Sequence, residues 1–340
     1  MPALEDAAGT RRLLQLCGGY FASYLVTGVL VKYFQGSAES GFPGMSDLQF
    51  LVYSTAGGTV LCVTFVVLAG WWRLPVGADR RRLLWVMVPS GVCTAVVVPT
   101  TTLIYSLPIT VMVAMVIMRG SVIVVSRLVD AVQIAQGVLK RRVYPEENIA
   151  VVFSLAAVAV HLVYSDGAVR LTPAAFVILG AYIAAYAVRI YLMNWFKNTN
   201  PDLRVDNRSY FAIEQVVAST VLVLALAGVV FVSPTMGPGL GIAEAVTFPH
   251  RAWLPALGAG MIFGIVAFFS VFIFMFKGRS ATFAGLVNRL TSLIAGTGAT
   301  VVSALLLGTS MPKRADWVSL GLILVAVGFL TRAERRRAAL

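Results

Sequence analysis

Two arginines lie deep inside apolar stretches of the chain, where a charge is costly. Arg289 follows Asn288 in the apolar run 280–308, and Arg119 lies in the run 107–138. An arginine at the centre of a bilayer costs roughly 2.5–3.5 kcal/mol on insertion scales. A guanidinium carries a planar fork of donors that suits phosphate groups. Arg119, Arg289 and the neighbouring Asn288 are therefore candidates for binding an anionic substrate. The alternative is that the arginines are structural and bond to backbone carbonyls or to Glu214.

Tyrosines recur with one spacing in two distant stretches. Tyr20 and Tyr24 are four residues apart, and so are Tyr182 and Tyr186, which follow 162 residues later. Residues four apart share one face of a helix, so each pair could stack on a base or bond a sugar, and interior packing is the alternative. Lys32 is a further candidate for substrate binding, although a lysine near the end of a run can also extend to the membrane surface.

Other ionisable side chains could supply ion coupling or charge balance. Glu214 lies well inside an apolar run, where it could pair with Arg189 or Arg289 or could titrate as a proton coupler. His161, in another apolar run, could relay protons or could simply pack. Ionisable groups inside membranes usually pair with one another, so a neutralising pair is the commoner role for Glu214.

No motif in the chain indicates catalysis. It contains neither a glycine-rich phosphate loop after a strand, nor a His-Glu-x-x-His metal motif, nor a serine elbow. The cysteines, Cys17, Cys62 and Cys93, lie within apolar runs and lack the spacing of metal ligands. We therefore expect a protein that is not an enzyme and that needs no metal or cofactor.

The composition predicts a membrane protein. The chain is 59% hydrophobic and 12% charged, whereas soluble domains are about 25% charged. The net charge of +12 is concentrated in short basic segments between apolar runs, where basic residues set membrane topology. The expected surroundings are therefore a lipid bilayer, and no nucleic-acid partner is predicted.

Ten apolar runs predict an all-α polytopic membrane protein with ten transmembrane helices. The third and fourth runs are separated by the short break Ser106-Leu107-Pro108. The runs are 13–35, 46–72, 83–105, 107–138, 149–165, 172–196, 208–232, 251–276, 280–308 and 316–331.

Basic residues are abundant in every second connection, for example at Arg80–Arg82 and Lys140–Arg142. Because basic loops face the cytoplasm, this alternation places both termini there. The predicted domains are a cytoplasmic tail, a first five-helix repeat, a linker loop, a second five-helix repeat and a basic cytoplasmic tail. Their ranges are 1–12, 13–165, 166–171, 172–331 and 332–340.

Short similarities relate the two halves. Gly19–Tyr24 aligns with Ala181–Tyr186 at an offset of 162 residues. Met118–Ser121 aligns with Asn288–Thr291 at an offset of 170 residues. The larger second offset fits the longer loop at 233–251 in the second half.

Five spans per half would give the halves opposite orientations in the membrane. The offset of 162 also carries Lys32 onto Asn194. Inverted repeats of this kind are typical of secondary transporters, which bind substrate near the midplane where the repeats meet. Arg119 and Arg289 would then face one another across a central cavity.

Several of these segments resemble a known family. Val31-Lys32-Tyr33-Phe34, Gly41-Phe42-Pro43 and Leu48-Gln49-Phe50 are similar to the Asn-Lys, Phe-Pro and Leu-x-x-Gln-Phe signature of the nucleotide-sugar and triose-phosphate branch of the drug/metabolite transporter superfamily. Met118–Ser121, leading to Leu139–Arg142, is similar to the fourth helix of that branch and its basic turn. Gly285–Arg289 resembles the Gly-Ala-Leu-Asn-Lys motif of GDP-mannose transporters, which helps to bind the nucleotide sugar there.

The chain departs from that subfamily at two places. Arg289 replaces the motif's lysine, and Ser209–Gln215 stands where the subfamily carries Phe-Tyr-Asn-Asn. The resemblance implies ten helices in two inverted halves. It also implies exchange of a nucleotide sugar for a nucleoside monophosphate, with Asn288 and Arg289 at the substrate.

Three functions remain open from the sequence. The favoured one is a secondary transporter of a phosphorylated organic anion, with a nucleotide sugar as the favoured cargo. The second is a proton-coupled exporter of metabolites or drugs with the same fold, and the third is a membrane scaffold without turnover. The expected partners are a small anionic substrate and the lipid bilayer, and a homodimer also stays open.

Overall fold

The structure, a computed structural model, describes residues 2–73, 80–105, 111–139, 144–163, 173–199, 207–236, 241–276, 279–309 and 311–338. Over these residues it is all-helical, with eleven α-helices, a 3₁₀ helix at Ala38–Ser40 and no strand. The α-helices are α1 (Pro2–Gln35), α2 (Asp47–Leu68), α3 (Arg80–Tyr105), α4 (Val111–Ala135), α5 (Pro145–Val163), α6 (Pro173–Thr199), α7 (Asn207–Met236), α8 (Gly241–Thr247), α9 (Trp253–Phe274), α10 (Ala281–Leu307) and α11 (Arg314–Ala338).

Eight helices of the described chain are long and apolar enough to cross a membrane. They are α1, α2, α3, α6, α7, α9, α10 and α11. The protein is therefore an integral, multi-pass membrane protein. Of the other long helices, α4 carries Arg119, Arg127 and Asp130, and α5 has 19 residues.

The predicted runs coincide with helices, with two differences. The N-terminal tail predicted at residues 1–12 continues α1, which begins at Pro2. The loop predicted at residues 233–251 contains the end of α7 and the short helix α8, because an apolar stretch there can form two helical turns between flanking glycines and prolines. The predicted break at residues 106–108 lies outside the described residues.

Local sequence chemistry explains where α2 and α10 begin and why α3 can contain prolines. Ser46 and Gln49 form a reciprocal capping box at the start of α2. The Ser280 side chain accepts the Phe283 amide at the start of α10. Pro89 and Pro99 lie inside α3, a position that membrane helices tolerate when neighbouring groups satisfy the freed carbonyls.

Packing is heaviest between helices of opposite halves of the chain. α2 packs along α9, α3 packs against α6 and α7, and α1 packs against α9 and α10. α4 contacts α5, α6 and α10, and α5 packs along α11. The core is therefore built from interleaved helices, which places residues that are far apart in sequence beside one another.

Glycines allow α2 and α9 to approach to backbone contact. A β-carbon on Gly57 would lie 1.9 Å from the Leu257 carbonyl oxygen, and one on Gly260 would lie 2.1 Å from the Ser54 carbonyl oxygen. Small residues at membrane helix crossings permit this closeness. The crossing thus tolerates no larger side chain at either position without separation of the helices.

One end of the bundle holds the start of α1 and the end of α11. Leu13 of α1, Phe283 of α10 and Leu330 of α11 belong to one buried cluster. We call this end the terminal end. Lys32 lies 19 residues beyond Leu13 on α1, about 28 Å along the helix axis, and so lies at the opposite end.

The bundle is apolar outside and partly polar inside. Phe231 and Leu68 expose 85% and 83% of their surface, as lipid-facing residues do. Asp130, Glu214 and Asn288 are fully buried. Polar side chains in membrane bundles face the interior and are usually functional or paired, so the interior is where a site is to be sought.

Candidate functional site

Arg289 extends from α10 toward the tyrosines of α6 and α1. Its guanidinium carbon lies 4.8 Å from the ring centroid of Tyr186, within cation–π range, and Tyr20 and Tyr182 lie within its electrostatic reach. The residue is 9% exposed, and its Nε and Nη2 bond to no described residue. Buried donors left unpaired cost free energy, so this guanidinium is suited to receive an anion.

Arg119 occupies a similar environment on α4. Its Nη2 donates to the Tyr24 hydroxyl at 3.1 Å, and its guanidinium carbon lies 5.7 Å from the centroid of that ring. A β-carbon on Gly296 of α10 would lie 3.8 Å from both terminal nitrogens of Arg119. Arg119 therefore lies over the helix that carries Arg289.

The two arginines lie at different heights along α10. Gly296, under Arg119, and Arg289 are seven residues apart, which places them on one face of the helix and about 10 Å apart along its axis. Repulsion between two charges at this separation is much weaker than at contact distance. The Arg119 guanidinium thus lies beside α10 about two turns beyond the backbone of Arg289, and the cavity predicted between the two arginines stays a prediction.

The four tyrosines turn toward these arginines. The rings of Tyr20 and Tyr24 have centroids 5.6 Å apart, and those of Tyr182 and Tyr186 are 5.0 Å apart. Tyr20, Tyr182 and Tyr186 are buried. Because Tyr24 contacts one arginine and Tyr186 the other, the repeated tyrosines and the repeated arginines form one cluster, which we call the Arg–Tyr cluster.

Glu214 pairs with Arg189 and not with Arg289. Arg189 donates to the two carboxylate oxygens through Nε at 2.7 Å and Nη2 at 3.3 Å. The hydroxyls of Ser90 and Thr94 on α3 donate to the same carboxylate at 2.8 and 2.9 Å. Arg189 also lies 6.0 Å from the Tyr186 ring centroid, so this neutral pair borders the Arg–Tyr cluster.

Ser90 and Thr94 were missed by reasoning from sequence alone. Their signal is weak, because hydroxyl residues are common in membrane helices and bond to their own backbone, as Thr94 also does to the Ser90 carbonyl. Only the structure shows that Glu214 of α7 faces α3, where it accepts hydrogen bonds from Ser90 and Thr94.

The remaining predicted site residues take different places. Asn288 is fully buried, donates to the Ser270 hydroxyl at 3.0 Å and leaves its Oδ1 without a described partner. Lys32 is exposed at the end of α1, away from the Arg–Tyr cluster. His161 lies in α5, and its side chain is outside the described residues.

Polar contacts that the sequence did not predict tie helices together at the terminal end. The buried Asp130 carboxylate of α4 accepts the amides of Ala281 and Thr282, at 2.8 and 2.6 Å. Asn194 of α6 donates to Gln133 of α4 at 2.7 Å. The available signal was that Asp130 and Gln133 lie three residues apart in a mainly apolar helix, but this spacing does not indicate which helix they contact.

The charges of the Arg–Tyr cluster sum to two positives over the described side chains. Arg119 and Arg289 contribute one each, and Arg189 is neutralised by Glu214. The tyrosine hydroxyls and Asn288 add neutral hydrogen-bonding groups. Among the described residues, no group of histidine, cysteine or carboxylate side chains is arranged to hold a metal ion. The arrangement can therefore bind an anion that also carries hydroxyl or ring groups.

Comparison with known proteins shows that the fold occurs elsewhere and does not indicate a function. No protein-family model and no curated protein sequence matches the chain. Among solved structures, 27 chains match. One of them, described only as "Crystal structure of protein", is similar with a TM-score of 0.59 and 16% identity, over 95% of this chain and 98% of the other. At this identity the likeness shows a shared fold alone.

Proposed function

We propose that this protein is a secondary transporter of a phosphorylated organic anion. The observation that carries the proposal is the buried Arg289 guanidinium, whose Nε and Nη2 lack described partners, in a cluster with two net positive charges. A membrane protein gains nothing in stability from such donors, since unpaired buried charge is costly. A phosphate group would satisfy them with charge-assisted, bidentate bonds.

We infer that the ten long helices form two inverted five-helix repeats. The supporting fact is that helix packing is preserved when the halves are exchanged, with α1 for α6, α2 for α7, α3 for α9, α4 for α10 and α5 for α11. Under this exchange the α2–α9 contact becomes the α7–α3 contact, α1–α10 becomes α6–α4, and α1–α9 becomes α6–α3, and all of these are present. Inverted repeats support alternating access around a central site.

The contacts within the Arg–Tyr cluster also correspond between the two halves. Arg119 contacts Tyr24 of α1, and Arg289 contacts Tyr186 of α6, so each arginine meets the equivalent tyrosine of its own half. Arg289 and Gly296, the residue of α10 that lies against Arg119, are about 10 Å apart along the helix axis, which suits a ligand that extends from one arginine to the other. A nucleotide sugar, which the motif around Arg289 favours, has charged phosphates, sugar hydroxyls and a ring that tyrosines can stack on.

The surroundings of Glu214 weigh against the rival, a proton-coupled exporter that uses this residue. Its carboxylate already accepts bonds from Arg189, Ser90 and Thr94. A proton on Glu214 would sacrifice the ion pair and leave Arg189 buried without its counter-charge. The ion pair is therefore assigned a structural role.

Exchange uptake tests the proposed function. The purified protein is placed in liposomes preloaded with UMP, GMP or inorganic phosphate, and uptake of labelled nucleotide sugars and sugar phosphates is measured. We expect uptake to rise when a counter-substrate is inside. No stimulation by any internal phosphate compound would overturn the proposal, and uptake driven by a pH gradient into empty liposomes would favour the proton-coupled exporter.

The third function, a scaffold without turnover, is separated by a ligand screen. A scaffold binds none of the compounds, so the apparent melting temperature of the purified protein stays constant across nucleotides and sugar phosphates. A transporter of these anions is stabilised by at least one of them, because a ligand that binds the folded state alone raises its stability.

A further inference from the structure

We propose that Asp130 forms a clasp that closes the terminal end of the bundle and must open for transport. The Asp130 clasp consists of the Asp130 carboxylate of α4 and the backbone amides of Ala281 and Thr282 of α10. This inference rests on the proposed transport function, since a gate has a purpose only where a substrate passes.

The clasp joins the two helices that carry the arginines of the site. Arg289 lies eight residues after Ala281 on α10, about 12 Å along the axis, and Arg119 lies 11 residues before Asp130 on α4, about 16 Å along the axis. Separation of α4 from α10 at the clasp would therefore open the bundle on the terminal side of both arginines.

The contact is strong and yet separable. Asp130 is fully buried, and its bonds of 2.8 and 2.6 Å to Ala281 and Thr282 place a negative charge at the positive end of the α10 dipole. α10 keeps a cap of its own, because the Ser280 side chain accepts the Phe283 amide at 3.1 Å, and the Ala281 and Thr282 amides need a new acceptor, such as water, when Asp130 leaves. The clasp can thus break without unwinding α10.

Further polar bonds extend the closure to neighbouring helices at the same end. Asn194 of α6 donates to Gln133 of α4 at 2.7 Å, and the Gln133 amide donates to the Tyr191 carbonyl at 3.0 Å. Ser280 of α10 donates to Glu147 of α5 at 3.2 Å. Four helices, α4, α5, α6 and α10, are therefore joined at the terminal end by buried or part-buried polar bonds.

The equivalent positions of the other half lack these bonds. The offsets of the repeat carry Asp130 onto Thr300, Gln133 onto Ser303 and Asn194 back onto Lys32. Thr300 bonds to the Gly296 carbonyl of its own helix, the buried Ser303 hydroxyl has no described partner, and Lys32 is exposed. Among the described residues, a carboxylate that joins two helices by accepting backbone amides is therefore found at the terminal end.

Ser126 offers a reporter for opening. It is fully buried on α4 one turn before Asp130, and a β-carbon on Gly285 of α10 would lie 2.3 Å from its hydroxyl oxygen. A Ser126→Cys thiol would be shielded while α4 and α10 touch and reactive once they part. The background carries Cys17→Ala, Cys62→Ala and Cys93→Ala, so that the new thiol is the reactive group.

The experiment measures how fast a water-soluble maleimide modifies Ser126→Cys in the purified full-length protein. Asp130→Asn keeps the shape of the side chain and removes its charge. We expect modification to be about tenfold faster, which corresponds to a decrease of about 1.4 kcal/mol in the free energy of separating α4 from α10. Asp316→Asn is the matched control, because Asp316 also accepts a backbone amide at a helix start, from Lys313 at 2.7 Å, but on α11. It should leave the rate unchanged.

The outcomes separate the clasp from the proposed function. If Asp130→Asn fails to fold, Asn194→Ala takes over. It keeps the Asp130 carboxylate but removes a donor to it at 3.4 Å and the bond to Gln133, and it should accelerate modification by a smaller factor. An unchanged rate in the folded variant overturns the clasp, even if GMP or inorganic phosphate alters the rate in the parent. Faster modification in Asp130→Asn supports the clasp, and if no phosphate compound alters the parent rate, the clasp stands while the proposed substrate class fails.

Discussion

Arg189 and Arg289 are both buried, but only Arg189 is paired with a described carboxylate. Arg189 donates to both oxygens of the buried Glu214 carboxylate. Arg289 lies against the Tyr186 ring and keeps two nitrogens without a described partner. A buried charge that is paired supports the fold, whereas one that is unpaired costs free energy in the absence of a ligand. The two residues should therefore respond to the same substitution in opposite ways.

Arg289→Gln should leave the ligand-free protein as stable as the parent or more stable, by about 1 kcal/mol, because it removes unpaired buried donors. The same variant should lose the stabilisation that phosphorylated compounds give. The apparent melting temperature, measured with and without these compounds, checks both parts. A ligand-free variant that melts far below the parent would mean that Arg289 is a structural residue.

Arg189→Gln should destabilise the protein by roughly 3–5 kcal/mol, because the Glu214 carboxylate is then buried without its partner. The double substitution Arg189→Met with Glu214→Leu should recover much of this loss, since it removes both charges together. Melting temperatures of the single and double variants test the pair. Equal loss in the single and double variants would contradict the assigned pairing.

At the scale of the element, the α2–α9 crossing is fixed by backbone contact. Gly57→Ala or Gly260→Ala should destabilise the protein by roughly 1–3 kcal/mol, since the new methyl group meets a rigid carbonyl oxygen. The readout is the apparent melting temperature of each purified variant.

Gly258→Ala is the matched control for this crossing. It lies in the same stretch of α9, but a β-carbon there has no neighbour within 4 Å. Alanine should stabilise that helical position by about 0.5–1 kcal/mol. Similar destabilisation by all three substitutions would show that the crossing is not the cause.

The helices were largely predictable from sequence, whereas several of their contacts were not. Apolar length alone locates α10 within a few residues of the predicted run 280–308. α8 was missed because its seven residues lie in a loop rich in proline and glycine. The Asp130 contact with Ala281 joins residues 151 positions apart, and neither periodicity nor composition encodes such a distance.

At the scale of the whole molecule, the repeated motifs carried the most information. The matched offsets of Tyr20 with Tyr182 and of Arg119 with Arg289 predicted which residues the structure brings together. Lys32 was also a candidate, but it lies eight residues beyond Tyr24, about 12 Å along α1, and so stays outside the Arg–Tyr cluster. The repeat predicts which positions are equivalent in the two halves. The position of each residue along its helix axis then determines whether it reaches the Arg–Tyr cluster.

The helix packing of the two halves is similar, whereas the polar bonds at the two ends of the bundle differ. The pairs α2–α9 and α3–α7 are related by that exchange, yet the Asp130 clasp has no counterpart at the opposite end among the described residues. A bundle closed at one end by buried polar bonds fits one state of an alternating-access cycle. For the proposed cycle, we expect a second state in which the clasp is broken and the region near Lys32 is closed.

The central claim is that Arg289 binds the anion that is transported. Its most direct test is exchange uptake of a labelled substrate into preloaded liposomes by Arg289→Ala, compared with Arg336→Ala, which removes an arginine that pairs with Glu146 outside the site. We predict at least about a tenfold loss of uptake for Arg289→Ala, as expected when a charge-assisted bond is lost, and near-parental uptake for Arg336→Ala. Unchanged uptake by the folded Arg289→Ala variant would contradict the claim.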